Sequence, residues 1–188
     1  MIVMENVLDL LMKIQILEKK SVQKMSELNA TLEAFGNRPL REKTLEVLLQ
    51  SLDLESTHTV LEIGTGSGFL TACLSRLAGS VLTVDIFEDL VQTARGRLSA
   101  LKIHNVNLAV DDLFKMQFTE RYDAIAITGS LPYYAEEFQD WLKPGGKLFI
   151  VVGEEPVMRA QRITRVDQRI WTTETLFETV LPPLIQQQ

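Results

Sequence analysis

The segment Thr59-Val60-Leu61-Glu62-Ile63-Gly64-Thr65-Gly66-Ser67-Gly68 constrains the fold of this chain more than any other. A short apolar run is stopped by glycines at alternate positions, and an amphipathic stretch from Gly68 to Leu77 follows at once. A backbone that turns sharply from strand to helix needs residues free of a Cβ, and so does a ligand that must approach the main chain closely. The pattern predicts strand, tight turn and helix, the opening unit of an open parallel sheet.

After Leu40 the alternation continues. Residues 41–52 fit a helix with Leu45, Leu48, Leu49 and Leu52 on one side. Strands are expected at 59–63, 81–85, 106–110, 122–128 and 147–152, and helices at 68–77, 88–101 and 134–141. Short apolar strands separated by helices imply a parallel sheet covered on both faces. Two further strand-like runs, 160–166 and 176–180, have no helix between them, and Asp167-Gln168 offers a turn. An antiparallel hairpin on one edge of the sheet is the simplest arrangement.

Residues 1–39 read differently. Met4, Leu11, Met25 and Leu32 fall on one heptad series, and Val7, Ile14, Leu28 and Phe35 on the other. The rhythm breaks around Glu18-Lys19-Lys20-Ser21, which suits two amphipathic helices or one interrupted helix. Such a stripe packs on the domain's own surface or forms the seam of a homodimer. Gly36-Asn37-Arg38-Pro39 then separates this helical segment from the domain at 40–188.

Composition removes several function classes. The net charge of −6 does not favour a nucleic-acid partner. A single cysteine, Cys73, cannot form an internal disulfide, and with the distant His58 and His104 it cannot build a metal site. No run reaches membrane-spanning length and the N-terminus lacks the features of a signal peptide, so no membrane partner and a cytoplasmic location are expected.

The glycine turn is also not a generic nucleotide loop. No Lys-Ser or Lys-Thr follows it, which excludes a phosphate-cradling P-loop, and its spacing is not that of dinucleotide binders. Glu62 stands two residues before the first glycine, where it repels a pyrophosphate and attracts an ammonium or a sulfonium. S-adenosylmethionine carries both. Asp85 ends the second strand about twenty residues on, the place from which an acid accepts ribose hydroxyls. Asp112, with Asp111 as its immediate rival, follows the third strand and can accept from an adenine amino group. The expected cofactor contacts are Glu62, Ile63, Gly64, Thr65, Gly66, Ser67, Gly68, Asp85, Ile86, Asp111, Asp112, Leu113 and Thr128.

These motifs resemble the seven-strand class I methyltransferases, and within them the protein-L-isoaspartate O-methyltransferase family. The resemblance rests on residues 60–69, on Val84-Asp85, on residues 122–128, on Leu142-Lys143-Pro144-Gly145-Gly146-Lys147-Leu148, and on the closing runs 163–165 and 176–182. It implies a Rossmann-like fold and methyl transfer from S-adenosylmethionine to an isoaspartate carboxylate of a protein or peptide. The family's Gly-Gln-Thr-Ile-Ser-x-Pro stretch finds its counterpart in Gly36-Asn37-Arg38-Pro39, with Asn37 in the place of the active-site serine. Thr128-Gly129-Ser130-Leu131-Pro132 stands where the family has Thr-Ala-Ala-x-Pro. Asn37, Thr128 and Ser130 are therefore the candidates for orienting the acceptor. A carboxylate is already a nucleophile at neutral pH, so no poised His or Cys is required. Two alternatives use the same cofactor site: a methyltransferase for a small molecule, and an interaction protein whose substrate site has degenerated.

Overall fold

The computed structural model describes residues 42–116 and 120–185. The expected N-terminal helices, Asn37 and the loop around it lie outside the described residues. The elements are α1 (Glu42–Leu52), β1 (Thr59–Ile63), α2 (Phe69–Leu77), β2 (Ser80–Asp85), α3 (Glu88–Ala100) and β3 (Val106–Val110), followed by β4 (Tyr122–Leu131), α4 (Glu137–Asp140), β5 (Leu142–Glu154), β6 (Val157–Asp167) and β7 (Ile170–Thr179).

The strands form one seven-stranded sheet in the order β3-β2-β1-β4-β5-β6-β7. The first five are parallel, and β6 and β7 add an antiparallel hairpin beside β5. The order reverses between β1 and β4, so their carboxyl ends flank a crevice where open α/β sheets bind ligands.

Strand periodicity divides the core in two. Val60, Ala124, Ala126, Phe149 and Val151 meet Leu48, Leu49 and Leu52 of α1 and Phe69 and Leu74 of α2 on one face. Leu61, Ile63, Ile125, Ile127, Leu148 and Ile150 face the other way, against Phe138 of α4 and Leu113. Burial of each of the Val, Leu, Ile and Phe side chains among them stabilises the domain by about 1.5–3 kcal/mol.

The fold class and the edge hairpin are as expected from sequence, and the boundaries shift for local reasons. β4 runs on to Leu131 because Ser130 and Leu131 pair with Val151 and Val152 of β5. The helix expected over 134–141 shortens to Glu137–Asp140. β7 begins at Ile170, well before 176, because its polar run Thr172 to Thr175 lies on an exposed edge strand and carries no apolar alternation.

Candidate active site at the carboxyl ends of β1, β2 and β4

The turn after β1 is fixed from several sides. The Gly64 amide donates to Val84 O at 2.8 Å and the Gly68 amide to Thr65 O at 2.8 Å. Gly64, Gly66 and Gly68 have φ of +96°, +50° and +80°. Space is equally short. A Cβ on Gly64 would lie 2.4 Å from Thr128 Oγ1, and one on Gly68 2.9 Å from the Cβ of Ala94 in α3. The Thr128 hydroxyl donates to the carbonyls of Ile63, at 2.9 Å, and Gly64, at 3.0 Å. Arg97 of α3 donates to Ser67 O at 3.0 Å. Three elements thus hold the turn from outside, and its own Thr65 and Ser67 add hydrogen bonds, with Thr83 Oγ1 at 2.7 Å and from the Phe69 amide at 3.3 Å.

Around this turn lies a cavity of about 260 Å³. Glu62, Ile63, Gly64, Thr65, Gly66 and Ser67 form its floor, and Asp85, Ile86, Asp111, Leu113 and Thr128 contribute from the neighbouring strand ends. Glu62 projects from β1 toward α2, where the Thr71 hydroxyl donates to its Oε2 at 2.5 Å. Its other oxygen, Oε1, is buried and has no hydrogen-bond partner. Burial, opposed by the Thr71 and Thr83 hydroxyls and reinforced by the nearby Asp85 charge, raises its pKa from 4.5 to about 7. A buried carboxyl oxygen without a donor is costly unless a ligand supplies one.

Asp85 ends β2 and is 8% exposed; its Oδ2 accepts from Gly66 N at 2.9 Å and its Oδ1 from Phe87 N at 3.1 Å. Of the two acids after β3, the structure places Asp111 on the cavity wall and not Asp112. Asp112 is buried, accepts from the Phe114 amide at 3.0 Å and lies 3.5 Å from Lys115 Nζ. The Asp112 carboxylate is thus engaged within its own loop, and Asp111 is the one of the two that lines the cavity. Gly68 sits behind the turn as the first residue of the helical cap and does not line the cavity.

Ser130 is also not where an acceptor-orienting group would be. It is 2% exposed, its hydroxyl donates to Leu181 O at 3.0 Å, and it is absent from the cavity lining. Thr128 does line the cavity, with its proton committed to backbone carbonyls. Several wall residues had not been singled out in the sequence. Phe87 and Phe114 are 42% and 40% exposed at the rim, an unusual place for large apolar side chains. Leu181 to Ile185 close the β4 side, and the Pro182-Pro183 pair that takes the chain out of β7 was the available signal.

The fold and this site define a Rossmann-like methyltransferase domain with an S-adenosylmethionine cradle. A family model described as "Protein-L-isoaspartate(D-aspartate) O-methyltransferase (PCMT)" matches residues 38–188. The chain belongs to the protein-L-isoaspartate O-methyltransferase family of S-adenosylmethionine-dependent enzymes.

The protein-L-isoaspartate O-methyltransferase of Trichlorobacter lovleyi is 35% identical over 162 residues, covering 81% of this chain and 74% of that protein. That of Bradyrhizobium sp. (strain ORS 278) is 34% identical over 139 residues, covering 73% of this chain and 65% of its own length. A Plasmodium falciparum structure, provisionally described as the same enzyme in complex with S-adenosyl-L-homocysteine, superposes with a TM-score of 0.66 at 21% identity over 78% of this chain and 73% of that one. An Aquifex aeolicus tRNA (m1A58) methyltransferase superposes with a TM-score of 0.56 at 22% identity, covering 76% and 67%. At such identities the likeness is one of fold, and it spans different acceptors.

Among the described residues no group of three or more His, Cys, Asp and Glu could hold a metal, and no helix is long and apolar enough to cross a membrane.

Proposed function

We propose that this protein transfers a methyl group from S-adenosylmethionine to the side-chain carboxylate of an isoaspartyl residue in a peptide or protein. The observation that carries the cofactor half is the buried, unpartnered Glu62 Oε1 on the floor of a glycine-lined cavity. The family match over residues 38–188 supports the acceptor half.

The residues present fit this cofactor. Glu62 would accept from its ammonium, Asp85 from its ribose hydroxyls and Asp111 from its adenine amino group, while Ile86, Leu113 and Phe114 offer apolar walls. When bound, it supplies an activated methyl group. The chain's own contribution is alignment and the exclusion of water. Asn37 is proposed to orient the acceptor in place of the family's serine.

Radiolabelled S-adenosylmethionine and an isoaspartyl peptide test the proposal, with the aspartyl isomer as control. Label should enter the first peptide alone. Intact cofactor binding by calorimetry with no label in either peptide would overturn the acceptor assignment and leave the cofactor assignment standing.

A further inference from the structure

After β7 the chain returns to the cofactor cavity. The Ser130 amide donates to Pro182 O at 2.9 Å, and the Leu184 amide donates to Ser130 O at 2.9 Å. The Ser130 hydroxyl adds its bond to Leu181 O. Ser130 and Pro183 form a parallel bridge. β1 ends at Ile63, opposite Ile127 of β4, and β5 occupies the other side of β4 at Ser130. The tail therefore takes the place beside β4 that a longer β1 would fill.

Leu184 is seated on Gly129. A Cβ at position 129 would lie 2.6 Å from Leu184 Cγ, 2.7 Å from its Cδ2 and 3.0 Å from its amide nitrogen. Gly129 is not among the glycines with positive φ, so its backbone would accept an alanine. Its lack of a side chain makes room for Leu184.

The acids that would hold the cofactor step away from β4: Glu62 on β1, Asp85 on β2, Asp111 after β3. The methyl-donating end of the ligand then lies toward β4, against the tail. From the proposed function, we infer that Leu184 is a specificity-determining residue. Its side chain, positioned by Gly129 and Ser130, forms an apolar wall against which the acceptor is placed. This wall favours peptides with an apolar residue next to the isoaspartate.

The test compares kcat/KM for two isoaspartyl peptides that differ only in the following residue, leucine or glutamate, alongside calorimetric binding of S-adenosylhomocysteine. The wild-type protein should prefer the leucine peptide. Leu184→Ala should reduce that preference by about tenfold, chiefly through KM, with S-adenosylhomocysteine affinity held within about twofold. Leu184→Met, which keeps the volume, should retain the preference. Gly129→Ala should reproduce the loss by displacing Leu184, and Gly129→Ala/Leu184→Ala should be no worse than Leu184→Ala alone.

Multiplying losses in the double variant, an active wild type without preference, or affinity for S-adenosylhomocysteine that falls in step with selectivity would each overturn the inference alone. A wild-type protein that binds S-adenosylhomocysteine but methylates neither peptide would overturn the proposed function and this inference with it.

Discussion

The Asp85 carboxylate reaches from the end of β2 to the glycine turn after β1, where its Oδ2 accepts the Gly66 amide proton at 2.9 Å. The group proposed to receive the ribose hydroxyls is thus also a brace for the glycine turn. Its Oδ1 is held by the Phe87 amide at 3.1 Å, so neither oxygen is free to turn away. Asp85→Asn can keep only one of the two acceptors. It should weaken S-adenosylhomocysteine binding about tenfold, and Asp85→Ala about a hundredfold, as read by calorimetry. Equal losses for the two variants would show that bracing by a single oxygen contributes nothing.

Glu62, proposed to accept the ligand's ammonium, should make binding depend on pH. Its folded-state pKa of about 7 lies above the ordinary 4.5, so the cofactor-free protein takes up a proton on this group between those values. Stability should fall as pH rises through that window, by roughly 3 kcal/mol, because ionisation in a buried site is the costly step. Binding runs in the opposite sense. An ammonium ligand needs the ionised carboxylate, so affinity should rise roughly tenfold from pH 5.5 to 7, below the range where an amino group loses its own proton. Glu62→Gln should flatten both profiles in parallel titrations of melting temperature and Kd.

Gly64 separates steric from conformational demand. Gly64→Ala meets the Thr128 hydroxyl at 2.4 Å and also needs φ of +96° from a residue with a Cβ. Removing the hydroxyl with Thr128→Ala relieves only the first. Gly64→Ala should abolish measurable cofactor binding, and Gly64→Ala/Thr128→Ala should not restore it. Recovery in the double variant would mean that the clash alone mattered.

At the opposite end of the sheet, Asp123 Oδ2 accepts from Thr59 N at 2.8 Å, Thr59 Oγ1 at 2.9 Å and Lys143 Nζ at 2.8 Å. Burial pushes its pKa up, but Lys143 and the Thr59 donors outweigh this and hold it below the usual carboxylate value. The stabilisation is present above that ordinary value and is lost as pH falls through the depressed one. Asp123→Ala should cost about 1 kcal/mol at neutral pH, discounted for solvent access, and progressively less under acid, by denaturant titration at several pH values.

Much of this fold was legible because β1 and β2 are short, largely apolar and mostly buried, with Gly64 just after one and Asp85 ending the other. Glu62, Asp85 and the glycines could be picked out because each sits at a strand terminus, where local spacing carries the information. Asp111 and Asp112 could not be told apart. Adjacent residues differ only in the direction of a loop, and here the Phe114 amide draws Asp112 inward. Ser130 looked like a free hydroxyl because its acceptor, Leu181 O, is 51 residues away. The tail beside β4 was illegible for the same reason: its pairing is nonlocal, and prolines conceal a strand-like role.

The return of Leu181 to Ile185 to β4 sets an order of assembly. A ribosome that has released β1 to β7 has made every strand of the sheet and every acid of the cradle, yet the flank beside β4 is still open. The wall closes only when the chain beyond β7 emerges and Ser130 gains its partners. Competence to enclose a ligand therefore arrives after the sheet is complete.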